Sequence, residues 1–196
     1  MSAADKQCQR AKLIEASVRQ WIDDMVIELG LCPFARHPVE AGKVRVVVSN
    51  AKDPETLLHE LHRELSLLDQ QSEQVLETTL IAIDGLLEDF HDYNDFLDLC
   101  DALLEQFDWL GTYQLASFHP QYQFAGTQPD DAENYSNRSP WPLLHLLRES
   151  SVERAIAAYP DTDAIPRRNT ELMQTMGTEA LKHRLAACSA QPPTKD

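Results

Sequence analysis

Apolar residues recur at helical spacing through the first part of the chain. Ile14, Val18, Trp21, Ile22, Met25 and Leu29 form one stripe, which predicts an amphipathic helix over residues 10–29 stopped by Gly30. The following LCPFARHPVEAG, with two prolines, reads as a loop. VRVVVS at 44–49 is short and β-rich and predicts a strand. Asp53 and Pro54 have the character of an N-cap and a first helical residue, and Leu57, Leu58, Leu61, Leu65 and Leu68 then share a face. LETTLIAID at 76–84 predicts a second strand. Tyr93, Phe96, Leu97, Cys100, Leu103, Leu104 and Phe107 predict a helix over about 92–107. YQLASF at 113–118 is a third strand, a polar loop runs on to Arg138, and two helices are expected at about 140–158 and 169–187.

This alternation predicts an α/β fold: a mainly parallel sheet of three strands, or slightly more, covered by helices, with a helical C-terminal part. A ferredoxin-like α+β arrangement is the alternative. A chain of 196 residues suffices for one substantial core, expected over 10–187, with 1–9 and 188–196 as flexible termini.

Charge changes the picture more than composition does. The chain carries a net charge of −15, and residues 51–110 hold two Lys/Arg against sixteen Asp/Glu. Such a surface repels phosphate backbones and argues against nucleic acid as a partner. No apolar run approaches the ~20 residues of a membrane helix, and MSAADKQCQRAK lacks the apolar core of a signal peptide. A cytoplasmic location is the expectation. Cys8, Cys32, Cys100 and Cys188 are widely spaced, form no CxxC pair and are expected as free thiols.

Ligands of open parallel sheets bind beyond the carboxyl ends of the strands. Those ends here are Ser49, Asp84 and His119, with His119 as a candidate base or ligand and Asp84 as its orienting partner, a metal ligand or a turn residue. The loop FHPQYQFAGTQPDDAENYSNRSPWP (118–142) is too polar for core and too aromatic for disorder. Ser139 reads as an N-cap with Pro140 behind it, and a helix start beside Arg138 favours an anion. Asn137 and Tyr122 belong to the same loop. His145, Arg148 and Glu149 would share a helix face. The competing reading gives the arginines surface salt bridges and makes Asn137 and Ser139 turn and cap residues. Cys32, in CPFA, is similar to the active-site cysteine of some glutathione transferases and glutaredoxin-like proteins, but a helix rather than a strand precedes it. It is either a nucleophile or a packing residue. HELHRE at 59–64 misses HExxH, because position 63 is Arg63, and no metal site is expected.

GLCPFA, SFHPQYQF and NRSPWPLLHLLRE resemble motifs of an uncharacterised bacterial family, also found in plants, catalogued as a domain of unknown function. The likeness spans about residues 12–187. It implies one compact domain and no particular reaction or cofactor. Two functions follow as expectations. One is a small-molecule enzyme or binding protein that holds a carboxylate or phosphate at the sheet rim, with His119, Cys32 and Asp84 as catalytic candidates. The other is a non-catalytic accessory protein whose acidic face, 51–110, binds a basic partner.

Overall fold

The structure is a computed structural model and describes residues 2–159 and 161–189. Ser2 opens helix α1 (Ala3–Trp21) through a capping box: its hydroxyl accepts the Asp5 N–H while the Asp5 carboxylate accepts the Ser2 N–H. Residues 3–9 are therefore helical; of the expected C-terminal tail, Cys188 ends a helix and residues 190–196 lie outside the described residues. A π-helical turn (Ile22–Ile27) continues α1, with the Glu28 N–H reaching back five residues to Asp23 O. Such wide turns re-aim a helix locally. A short helix α2 (Arg36–Glu40) precedes strand β1 (Val44–Ser49). Asp53 and Asp89 cap α3 (Pro54–Gln70) and α4 (Phe90–Gln106), accepting N–H bonds from Thr56, and from His91 and Asp92. Strands β2 (Thr78–Ile83) and β3 (Tyr113–Phe118) alternate with them.

The segment LLHLLR (Leu143–Arg148) is strand β4, not part of a helix over 140–158; α5 (Glu149–Ala157) starts only afterwards. Leu144 and Leu146 pack under α3 and α4, whereas Leu143 faces the opposite core. A strand buried on both faces needs apolar residues without alternation, and such a run is indistinguishable from a buried helix by period. The sheet order is β1-β2-β4-β3. β1 and β2 are parallel, and β4 is antiparallel to both of its neighbours. The sheet is thus four-stranded and mixed. β1, β2 and β3 run in one direction and β4 runs back between the last two. β1 and β2 hydrogen-bond directly, whereas the ferredoxin-like arrangement inserts a strand between them.

Three layers result. Leu57, Leu61, Leu65 and Leu68 of α3 and Tyr93, Phe96 and Cys100 of α4 cover one face of the sheet. Ile14, Val18 and Trp21 of α1, together with Met173 and Leu181 of helices α6 (Ala164–Met176) and α7 (Thr178–Cys188), cover the other. β2 runs through the middle and is buried along its whole length.

Candidate functional site

Ser49, Asp84 and His119 share the rim at the carboxyl ends of β1, β2 and β3, but each is already engaged. The Ser49 hydroxyl accepts the Ala51 N–H. Arg10 donates two bonds of 2.6 Å to the Asp84 carboxylate and holds its pKa below the usual carboxylate range. His119 is fully buried; its Nδ1 accepts the Gln121 N–H at 3.0 Å, so the ring proton sits on Nε2 and is donated to Leu87 O at 3.1 Å. Burial pushes its pKa down. Both nitrogens are spent on the backbone, and His119 ties the end of β3 to the turn before α4.

The sequence places an anion at a helix start beside Arg138 and Ser139. No helix begins there: Ser139, fully buried, donates its hydroxyl to Trp141 O at 2.5 Å, and the chain passes into β4. Arg138 donates from Nε to Tyr122 O at 3.1 Å and from Nη2 to Pro129 O at 2.5 Å, and its guanidinium lies 4.5 Å over the Tyr135 ring. Asn137 donates to Ser117 O at 3.3 Å and its carbonyl accepts the His119 N–H. The Tyr122 ring packs on Phe90 and Phe124. A residue not singled out in the sequence completes this bracing: buried Asn134 accepts the Phe124 N–H and the Thr127 hydroxyl and donates to Gln128 O. The polar loop supports itself through its own backbone.

His145 and Arg148 lie on β4 rather than on a helix face. Nη2 of Arg148 reaches the carbonyls of Leu68, Gln71 and Leu76 at 2.6, 2.7 and 3.2 Å, where it closes the end of α3 and the approach to β2. His145, like Arg148, lines a cleft of about 770 Å3 on the α1 side of the sheet. Thr78, Leu80, Gln114 and Ala116 form the floor beside it, over the amino-terminal halves of β2 and β3 and away from the rim. The CPFA segment, including Cys32, and Val26 of the π-helical turn form one wall. Val152, Ala155 and Tyr159 form another. α5 lies across the opening with no buried residue of its own.

Nε2 of His145 lies 2.7 Å from Thr78 Oγ1, and that hydroxyl lies 2.5 Å from Leu146 O. Burial pushes the His145 pKa down to about 4, so the imidazole is neutral. Burial also pushes the Cys32 thiol up, against the pull of the Phe34 and Ala35 N–H groups. Cys32 is therefore a thiol and lacks the acidity of a catalytic thiolate. Along the cleft, exposed Arg154 pairs with Glu73 at 2.6 Å and the more covered Lys43 lies 4.0 Å from Glu77.

The structure thus brings Cys32, His145 and Arg148 to one cleft and leaves His119, Asp84 and Arg138 outside it. Thr78 and Gln114 also line it; the strands they stand on are predicted from sequence, but the face they share with His145 is set by the pairing of β4, which has no sequence signal. Among the described residues no cluster of three or more His, Cys, Asp or Glu side chains is placed to hold a metal, and no helix is long and apolar enough to cross a membrane. Over residues 13–183 the chain matches the family described as Protein of unknown function (DUF1415). No curated protein and no solved structure matches it.

Proposed function

The chain belongs to the DUF1415 family, and from the cleft we propose that it binds, and acts on or carries, a small and largely apolar molecule. The observation that carries this is a concave space of about 770 Å3 with mainly apolar walls and a few convergent polar groups, His145, Thr78, Gln114 and Cys32. Sites for drug-sized ligands have this size and this balance of apolar wall to placed polar group. The small-molecule reading of the sequence is kept, but its place moves from the rim to the opposite half of the sheet. The ligand's anionic character is dropped with it, because the rim cations are tied to Asp84 and to loop carbonyls.

A metabolite library screened by thermal shift tests the proposal, since a ligand bound only to the folded state raises its stability by mass action. Each hit is then tested for protection of Cys32 from N-ethylmaleimide at pH 8.5, with peptide mapping to separate Cys32 from exposed Cys8. The expected result is a compound that raises Tm and slows modification of Cys32. Stabilising compounds that leave Cys32 modification unchanged would move the site elsewhere.

A further inference from the structure

We infer that the cleft takes an uncharged ligand whose apolar body lies on the sheet and whose hydrogen-bond donor meets Nδ1 of His145. This rests on the cleft being the binding site.

The orientation of the imidazole follows from one proton. Thr78 Oγ1 lies 2.5 Å from Leu146 O, and a carbonyl has no hydrogen to give, so the threonine hydroxyl supplies the proton in that contact. The same oxygen lies 2.7 Å from His145 Nε2. With the hydroxyl proton already committed, Nε2 must carry the hydrogen and donate it to Thr78. Nδ1 is then the lone-pair nitrogen, an acceptor only. Among the described residues no protein group hydrogen-bonds Nδ1, and His145 stands on the floor of the cleft between Leu80 and Ala116. His119 makes the contrast: it holds the same tautomer, but its Nδ1 is filled by the Gln121 N–H. One histidine is closed by its own loop. The other presents an open acceptor to a cavity.

The charges around the cleft select against an ion. Arg148 is spread over three backbone carbonyls, Arg154 is paired with Glu73, and Lys43 with Glu77. The imidazole and the Cys32 thiol are neutral. An anion entering among Leu80, Ala116 and Phe118 would lose its hydration where the Arg and Lys side chains among the described lining residues are already hydrogen-bonded or paired, and its own lone pairs would face that of Nδ1. A hydroxyl, phenol or amide N–H on an apolar frame satisfies Nδ1 at no such cost.

Three probes with one frame separate the possibilities: 2-naphthol, 2-methoxynaphthalene and 2-naphthoate, titrated calorimetrically against wild type, His145→Gln and His145→Asn. One net hydrogen bond is worth about a factor of ten. We expect 2-naphthol to bind wild type about tenfold tighter than its methyl ether, with the naphthoate weakest. In His145→Gln, whose amide keeps the position bonded to Thr78 and loses that of Nδ1, the preference for the naphthol disappears. In His145→Asn, whose side-chain oxygen falls near Nδ1, part of it returns. On wild type alone, the 15N spectrum of His145 should show the Nε2–H tautomer, with the Nδ1 resonance shifting as 2-naphthol binds. Naphthol and ether binding equally, both with Cys32 protected, would leave the cleft as the site and overturn the donor inference. Tightest binding of the naphthoate, or an Nδ1–H tautomer, would overturn it as well. If no probe binds or protects Cys32, the cleft reading and this inference fall together.

Discussion

At the scale of single residues, two histidines show what sequence can and cannot tell. His119 stood in a polar loop at a strand end and read as a site; it is instead a cross-link between backbone segments. His145 was singled out for a helix face and proves to be a strand residue over a cavity. Composition reports that polar groups are present, but not whether backbone carbonyls consume them, and that separates Arg138 and Asn137 from His145. Cys32 was legible as a residue in an unusual setting, but its raised pKa depends on burial in the folded chain and was not. The His145 environment has a consequence for acid stability. Its folded pKa of about 4 lies below its ordinary 6.5, so the unfolded chain takes up the proton first. Stability from this group is present above pH 6.5 and is lost as pH falls toward 4, by an amount on the order of 3 kcal/mol. The lowered pKa of His119 acts in the same direction. Urea midpoints between pH 7 and 4.5 should fall steeply for wild type and less steeply for His145→Gln; identical slopes would remove His145 as the source.

Among the elements, β1 and β3 were readable to the residue, and β2 and α3 nearly so, because alternation, β-branched runs and an Asp-Pro cap each have a local cause. β4 was not. Leu143, Leu144, Leu146 and Leu147 are buried or half-buried between two helical layers, and only the tertiary context distinguishes such a strand from a helix. The π-helical turn has no sequence signature, yet it sets Ile22 and Val26 against the cleft. The single helix expected over 169–187 is two helices: α6 starts at Ala164, and the break falls at Gly177, whose φ is +78°. With ψ at 152° this is an extended backbone at positive φ that is essentially confined to glycine, and it costs an L residue about 1–3 kcal/mol. A Cβ built there meets nothing within 4 Å, so the penalty of Gly177→Ala is purely backbone. We expect this variant to lose about 1–3 kcal/mol in urea unfolding, with unchanged ligand binding. No loss would mean that the α6–α7 junction relaxes into another geometry.

In the whole molecule, the sheet separates two surfaces. The acidic third of the sequence builds α3 and α4 on one side, and the cleft opens on the other, under α5. Length and patterning made the layered α/β fold legible; the cleft was not, because it exists only where the covering of α1 ends and that of α5 is thin. An open space beside a sheet forgoes packing that a closed core would have, so filling it should stabilise the fold while destroying the site. Two alanines on the same face allow the comparison. Ala116 on β3 lines the cleft, whereas Ala82 on β2 is fully buried in the closed core beside Leu143. Ala116→Ile adds a β-branched side chain suited to a strand and is expected to gain about 0.5–2 kcal/mol, which raises Tm by about 2–4 °C per kcal/mol in a chain of this size. Ala82→Ile adds the same atoms where there is no room and should cost about 1–3 kcal/mol. Calorimetric melting of both variants, with and without 2-naphthol, decides the matter. Ala116→Ile should melt higher than wild type and lose its response to the probe, whereas Ala82→Ile should melt lower and keep it. If Ala116→Ile also melts lower, the floor of the cleft is already as tightly packed as the core, and the space above it is not a binding site.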